Sequence, residues 1–315
     1  MIETIKYDYD ISIIIPSLGR PTLKKVIDQI IQDKGSFRIQ IIVIADGHEA
    51  MARIRNISCL NTEISLILNT RTKGVSGSLN CGLKRASGEY LMIFSDDDEW
   101  LSGKISTSIE GIKGKKNTCV CFQVETLGQK ELTKIRPSFI PKSPIDPLLY
   151  CYGNSPFINN PSYLSLTSFI APIGVKKYFF PEDLTSREDI VWLQTVFRNG
   201  FDVIVAEGIC AKVVIGYGRT SMRDSDTELA RWLSWLDQNS PHLQANFLFS
   251  HFLRPYVVSS NITMGLKVLY KNRFWRFRPS FKSMIVFCFL VISGFLRLFS
   301  RLLFRNNLAK SISKL

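Results

Sequence analysis

The sequence predicts an α/β protein built on a mostly parallel central sheet flanked by helices. Three observations carry that expectation. Short apolar, β-branched runs recur at Ile11 to Ile15, Ile39 to Ala45 and Ile64 to Leu68. Segments with helical apolar spacing alternate with them, and each run stops at a polar, proline or glycine loop, as buried parallel strands do.

In order, Ile11-Ser-Ile-Ile-Ile15 reads as a buried strand ended by Pro16. Ser17 to Arg20 form a loop, and Pro21-Thr22 opens a helix with Leu23, Val26, Ile27, Ile30 and Ile31 on one face. The strand from Ile39 ends at Asp46-Gly47. Strand, helix, strand gives a parallel pair with Asp46 and the Pro16 to Arg20 loop at one rim. Next come a strand at 64 to 68, a loop at 69 to 74 bearing Arg71 and Lys73, a helix from Ser76 to Ala86, and a strand running into Asp96, Asp97 and Asp98. Four strands then open their carboxyl ends on a common crevice. Three adjacent carboxylates shielded from water need a positive partner, and an oxygen-only donor set suits Mg2+ or Mn2+ with substrate phosphates completing the shell. Helix capping by Asp98 beside solvated neighbours is the structural alternative.

The succession Ile-Ile-Ile-Pro16, Ile-Ala-Asp46-Gly47, Lys73-Gly-Val-Ser76 with Asn80-Cys-Gly82, and Gly88-Glu-Tyr-Leu-Met-Ile-Phe-Ser-Asp-Asp-Asp98 resembles the nucleotide-sugar half of family 2 glycosyltransferases. The likeness is strongest over about residues 10 to 110 and extends more loosely to about 218. It implies a GT-A fold, inverting transfer of a sugar from a nucleoside diphosphate, commonly UDP, and a divalent metal ion, Mn2+ or Mg2+. It implies Asp46 at the base and Asp96 and Asp97 at the ribose and metal, with the metal at Asp97 and Asp96 or Asp98 assisting. With the rim residues Pro16, Ser17, Arg20, Arg71, Lys73 and Asn80 these make the candidate nucleotide-sugar site, Arg71 and Lys73 being otherwise an ordinary solvated loop. The chain departs from the family where Ala45 precedes Asp46 and where Ser95 stands in place of the first acid of the Asp-x-Asp triplet.

In the second half the sequence predicts a helix to about Ile112, a strand from Thr118 to Thr126, a Pro-rich passage from Pro137 to Pro161, and strands at 202 to 206 and 211 to 217. Tyr150, Tyr152 and Asn154 are candidates for acceptor contact, or else packing residues. Phe179-Phe-Pro-Glu-Asp-Leu-Thr-Ser-Arg-Glu-Asp-Ile-Val-Trp192 resembles the family's second signature, which implies Asp189 as general base with Glu188 beside it. The same residues also read as a capping box at a helix N-terminus. Arg219 is a candidate for closing on the diphosphate.

Among the 315 residues, seven scattered cysteines suggest a reducing compartment. Met1 to Asp10 lacks the apolar core of a signal peptide, which places the globular part in the cytoplasm. Cys119 and Cys121 read as buried thiols rather than zinc ligands. The formal charge of +13 is concentrated: twelve basic residues and no acid lie between Gln238 and Leu315, which leaves +1 for the first 237 residues.

Two regions follow: 1–237, a GT-A domain with a nucleotide-sugar half to about 110 and an acceptor half beyond, and 238–315, a basic helical membrane-associating region. Met284 to Leu296 would be about 20 Å long as a helix, short of a hydrocarbon core of roughly 30 Å. Arg297, Arg301 and Arg305 share a face, and Trp275 and Phe281 stand among basic neighbours, as in a helix lying on an anionic membrane surface. A spanning helix from Met284 to Phe304 is the alternative. A basic nucleic-acid arm is disfavoured, because so apolar a run would be a liability in water. Membrane contact points to a lipid-linked glycan acceptor at the cytoplasmic face of the inner membrane, in surface polysaccharide synthesis. A nucleotidyltransferase and a non-catalytic membrane-bound scaffold are the rivals.

Overall fold

The computed structural model describes residues 7–55, 64–127, 133–153, 164–214 and 226–243, together with Ile292. Asn154, Arg219, Trp275, Phe281, Arg297, Arg301 and Arg305 lie outside the described residues. The chain divides into two compact units, one of residues 1–148 and 161–228 and one of residues 149–160 and 229–315.

The first unit is organised by a mixed nine-stranded sheet. Strands β1 (Ile11–Ser17), β2 (Ile39–Ala45), β3 (Ile64–Leu68) and β4 (Tyr90–Ile93) are mutually parallel in the order β3-β2-β1-β4. Ile11, Ile13, Ile14 and Ile15 are all 0% exposed, as befits a central strand covered on both faces. Helix α1 (Thr22–Asp33) packs Leu23, Val26, Ile27 and Ile30 inward. Helix α2 (His48–Arg55) buries Ala50, Met51 and Ile54. Helix α3 (Val75–Arg85) returns the chain to β4.

Beyond β4 the sheet becomes mixed. Strand β5 (Glu99–Trp100) pairs antiparallel with β9 (Asp202–Val214), and β6 (Thr118–Leu127) lies parallel to β9 and antiparallel to β7 (Thr133–Arg136) and β8 (Phe169–Pro172). β8 also pairs antiparallel with β4. The two strands expected at 202–206 and 211–217 are one strand through Val214. Its register against β6 shifts twice between Phe122 and Glu125, so an irregular ladder absorbs the sequence between them. Helix α4 (Lys104–Ile112) is seated by Asp33, whose carboxylate accepts the Gly103 and Ile105 N–H groups at 2.5 and 3.0 Å and the Trp100 indole N–H at 2.9 Å.

Among the described residues of the second unit, Tyr152 meets Trp232 at 5.7 Å between ring centroids, and Trp232 stacks on Trp235 at 5.2 Å. Tyr150 and Tyr152, at the end of α5 (Pro147–Tyr152), are both buried. No helix among the described residues is long and apolar enough to cross a membrane. Cys81, Cys119, Cys121 and Cys210 are buried thiols outside any disulfide, and Cys151 is buried as well.

One close approach governs the rim. A Cβ on Gly77 would lie 1.9 Å from the Thr72 carbonyl oxygen, so the 69–74 loop can fold back over α3 only because this position carries no side chain. Gly77→Ala is expected to destabilise the fold by about 1–3 kcal/mol, read as a lowered urea midpoint with an unchanged slope.

Candidate active site

A cleft of about 220 Å3 opens at the carboxyl ends of β1, β2 and β4 and is lined by Pro16, Ser17, Leu18, Arg20, Asp46, Gly74, Val75, Ser78, Ser95, Asp96 and Asp97. That is where open parallel sheets bind ligands, because several strand ends and helix N-termini converge there. On one side, Asp46 accepts the Asn69 amide at 2.9 Å and the Gly74 N–H at 3.0 Å to each carboxylate oxygen. Gly74 precedes α3 with φ of 125°, a conformation that favours glycine and that turns its N–H onto Asp46.

The acidic turn after β4 sends its three carboxylates in different directions. Asp96 is 1% exposed and accepts Ser17 Oγ at 2.6 Å and an Arg20 guanidinium nitrogen at 2.5 Å. Burial raises its pKa, opposed by Ser17 and Arg20, which favour the ionised form. Asp97 is half-buried in the cleft lining, accepts Ser95 Oγ at 2.8 Å, and lies 3.9 Å from Arg20. Asp98 leaves the group: it is buried, does not line the cleft, and accepts Thr167 Oγ1 at 2.8 Å.

Behind Asp98, Lys104 is 1% exposed and donates to the Thr167 carbonyl at 2.6 Å. Its ammonium lies 5.5 Å from the Phe94 ring and 5.0 Å from the Trp100 ring. These rings bracket the turn and meet at 4.9 Å. Burial lowers the Lys104 pKa, countered by Cys210, Asp33 and Asp98. A cation–π box is an economical way to keep a buried ammonium where no carboxylate touches it directly.

The donor set suits a hard divalent cation. Asp97 is a half-buried carboxylate opening on the cleft, with Asp96 next to it in the lining, and all nearby donors are oxygens. Among the described residues no group of three His, Cys, Asp or Glu side chains could hold a metal alone, so phosphate oxygens and water would complete the shell, as is usual for Mg2+.

Asn80 and Arg71 occupy other places than the cleft wall. Asn80 is 0% exposed and clamps the backbone of Phe180, accepting its N–H at 2.8 Å and donating to its carbonyl at 3.0 Å. Asn80 also donates to Glu182 at 2.7 Å, and Arg71 pairs with the same carboxylate through Nε. Although desolvation works against it, hydrogen bonds from Thr72, Asn80 and Arg71 pull the Glu182 carboxyl down to about 2. Glu182 was missed in the sequence, where a Pro-Glu-Asp loop carries no positional signal. Lys73 is exposed on the same loop.

That clamp leads directly to Glu188 and Asp189 at the start of α6 (Glu188–Arg198). Arg187 precedes them in the left-handed region, φ 63°, the one non-glycine residue with positive φ among those described. Glu228 holds the approach by accepting the Thr185 and Ser186 N–H groups at 2.8 and 3.1 Å. Asp189 Oδ1 accepts the Ile190 N–H at 2.8 Å, while Glu188 Oε2 is buried without a hydrogen-bond partner. A helix N-terminus favours ionised carboxylates. Burial overrides it here: the Glu188 carboxyl is pushed up to about 7 by burial and then by Asp189, and burial also raises Asp189.

The chain resembles known proteins along most of its length. The model of the family described as Glycosyl transferase family 2 matches residues 12–170. A GalNAc(5)-diNAcBac-PP-undecaprenol beta-1,3-glucosyltransferase of Campylobacter jejuni is 33% identical over 103 residues, 32% of this chain and 33% of that protein. The match thus spans only a third of that relative. The UDP-Glc:alpha-D-GlcNAc-diphosphoundecaprenol beta-1,3-glucosyltransferase WfgD of Escherichia coli is 22% identical over 262 residues, 82% of this chain and 95% of that one.

Among solved structures, S. aureus TarS 1–349 in complex with UDP-GlcNAc superposes with a TM-score of 0.56 at 14% identity, covering 84% of this chain and 81% of its own. The mannosyltransferase PcManGT from Pyrobaculum calidifontis, in complex with GDP-Man and Mn2+, gives 0.53 at 12% identity and covers 90% and 79%. These likenesses carry the fold, a mixed α/β arrangement with GT-A neighbours.

The buried dyad has a measurable signature in stability. Below the ordinary Glu pKa of 4.5 the Glu188 carboxyl is protonated whether folded or unfolded. Between 4.5 and about 7 only the unfolded chain ionises, so the fold loses stability as pH rises, and above about 7 the penalty is complete. Glu188→Gln is therefore expected to leave the urea midpoint unchanged near pH 4 and to raise stability at pH 8, by on the order of 1–3 kcal/mol.

Proposed function

This chain belongs to glycosyl transferase family 2, and from that membership we propose that it is an inverting glycosyltransferase which moves a sugar from a UDP-sugar to a hydroxyl of a lipid-linked glycan at the cytoplasmic face of the membrane. Membership sets aside the nucleotidyltransferase. The observation that carries the reading is the pairing of a carboxylate-lined cleft at the strand ends with a second carboxylate pair at the head of α6, joined to the cleft rim through Asn80 and Glu182. The names of the Campylobacter and Escherichia relatives supply the chemistry of donor and acceptor.

In this reading Asp46, fixed by Asn69 and Gly74, meets the base, and Pro16, Ser17 and Arg20 form the floor under the nucleotide. Lys73, on the exposed loop beside Gly74, supplies positive charge for the diphosphate, while Arg71 and Asn80 hold the loop in place. Asp97, with Asp96 beside it, would hold Mn2+ or Mg2+, and that ion would neutralise charge on the leaving diphosphate. Asp189 takes the proton of the acceptor hydroxyl, and a single displacement at the anomeric carbon inverts its configuration. Burial raises the Asp189 carboxyl and so makes it a stronger base, and the Asp189 charge in turn helps Glu188 hold its proton. The proposed domains are 1–237 for this chemistry and 238–315 for attachment to the anionic membrane surface.

Asp189→Asn is expected to reduce transfer by roughly 10²- to 10⁴-fold while leaving UDP affinity within about twofold. Transfer by the native protein should fall on acidification at a pH above the 3.8 of an ordinary aspartate, because burial raises the Asp189 carboxyl and its protonation removes the base. A panel of nucleotide-sugars scored for transfer and hydrolysis tests the whole reading. Turnover on none of them would leave the membrane-bound scaffold standing. Asp97→Asn should abolish the Mn2+-dependent part of UDP binding in a calorimetric titration, and unchanged metal dependence would remove Asp97 from the site.

A further inference from the structure

Positive charge in the catalytic unit gathers along one face, and the transfer reaction uses only the end of it that carries Arg71 and Lys73. Residues 69–88 carry Arg71, Lys73, Lys84 and Arg85 and no acid, and residues 173–183 add Lys176 and Lys177 against Glu182 and Asp183. These two strips are stitched together. Lys176 donates to the Ala86 carbonyl at 2.9 Å, Asn80 clamps Phe180, and Lys84 lies 5.8 Å from the Phe179 ring. Glu182 is already taken by Arg71, which leaves Asp183 and Glu89 as the acids along the face.

Lys84, Arg85, Lys176 and Lys177 are exposed, and among the described residues no carboxylate forms an ion pair with them. The α3 macrodipole explains Lys84 and Arg85 at a helix C-terminus. It explains neither Lys176 and Lys177 nor Phe179, which is 45% exposed with Arg71 at 5.3 Å and Lys84 on its ring. Tyr178 adds a second aromatic, with Lys177 at 5.0 Å. The first 237 residues carry a net charge of only +1, so this is a local concentration and not the general basicity of the chain.

Exposed Phe179 and half-buried Tyr178, set among lysines that pair with no carboxylate among the described residues, are the chemistry of an anionic bilayer surface: rings enter the headgroup layer and ammonium groups meet lipid phosphates. We propose that this face, formed by the C-terminal end of α3 and residues 173–179, is a membrane-docking surface of the catalytic unit itself, additional to the region beyond residue 237. It rests on the reading of a lipid-linked acceptor. The geometry has a use in that setting. Val75 at the start of α3 lines the cleft and Arg85 ends the helix, so cleft and basic face lie about 15 Å apart along one rigid element. An acceptor headgroup anchored in the bilayer then has a short path to the cleft.

The test uses the full chain with vesicles of phosphatidylcholine alone or with phosphatidylglycerol. Hydrogen exchange should show protection of residues 84–86 and 173–179 on the anionic vesicles and none on the neutral ones. The triple variant K84E/K176E/K177E should partition onto anionic vesicles at least tenfold more weakly, since each basic residue at such a surface contributes about fivefold. Its transfer to a short water-soluble acceptor should be unchanged. Protection confined to residues beyond 237, with partitioning of the variant unaltered, would overturn the docking surface and leave the transferase reading intact. Anionic-specific protection in a protein that transfers no sugar would uphold the surface and overturn the transferase reading instead.

Discussion

The buried carboxylate of Asp96 is the constraint around which the cleft is built. A carboxylate 1% exposed at the end of a central strand is tolerated only with compensating donors, and Ser17 at the end of the neighbouring strand and Arg20 in the loop after it supply them. The same contacts hold the β1 loop in shape, because Ser17 Oγ also accepts the Gly19 N–H at 2.9 Å. One electrostatic requirement thus joins the floor of the cleft to its acidic edge. It also decides where negative charge is left over: with Asp96 engaged by Arg20, Asp97 is the carboxylate that opens on the cleft.

The run of three aspartates is accordingly a branch point and not a cluster. Three adjacent charges would repel one another, and the fold relieves this by giving each a different environment. Asp96 meets a guanidinium, Asp97 meets the cleft, and Asp98 is drawn inward to Thr167 and the field of Lys104. Phe94 and Trp100, on either side of the turn, complete the division by enclosing the lysine. The turn is held from both ends, by β4 before it and by the pairing of β5 with β9 after it.

The parallel part of the fold was plain in the sequence, and the mixed part was not. Ile11 to Ile15 and Ile39 to Ala45 announce buried strands because both faces are covered, so nearly every residue is apolar. β5 is two residues long, and β8, Phe169–Pro172, has no pattern of its own; both exist because the sheet offers them a partner. α2 was hidden because His48 to Arg55 is largely polar and only Ala50, Met51 and Ile54 are buried. At the rim, Asp46, Asp96 and Asp97 were legible as strand-end carboxylates. The places of Asn80, Arg71 and Asp98 were not, since each depends on a partner distant in sequence: Phe180, Glu182 and Thr167.

Those distant partners turn two separate signatures into one device. Asp46 is positioned by Asn69 and Gly74, and the loop that carries them is held against α3 by the bare face of Gly77. The same loop is fastened through Arg71 and Thr72 to Glu182, six residues before Glu188. Beside these exposed bonds, the Asn80–Phe180 pair is buried, and buried hydrogen bonds are costly to leave half-made. Movement of the 69–74 loop would strip Glu182 of Arg71 and Thr72, and a shift of the 179–182 segment would strand the Asn80 amide as well. Removing a single partner would be felt at both ends, at Asp46 in the cleft and at the Glu188–Asp189 pair at the head of α6. The separation of these signatures by more than a hundred residues in sequence is cancelled by one buried amide and one ionised carboxylate.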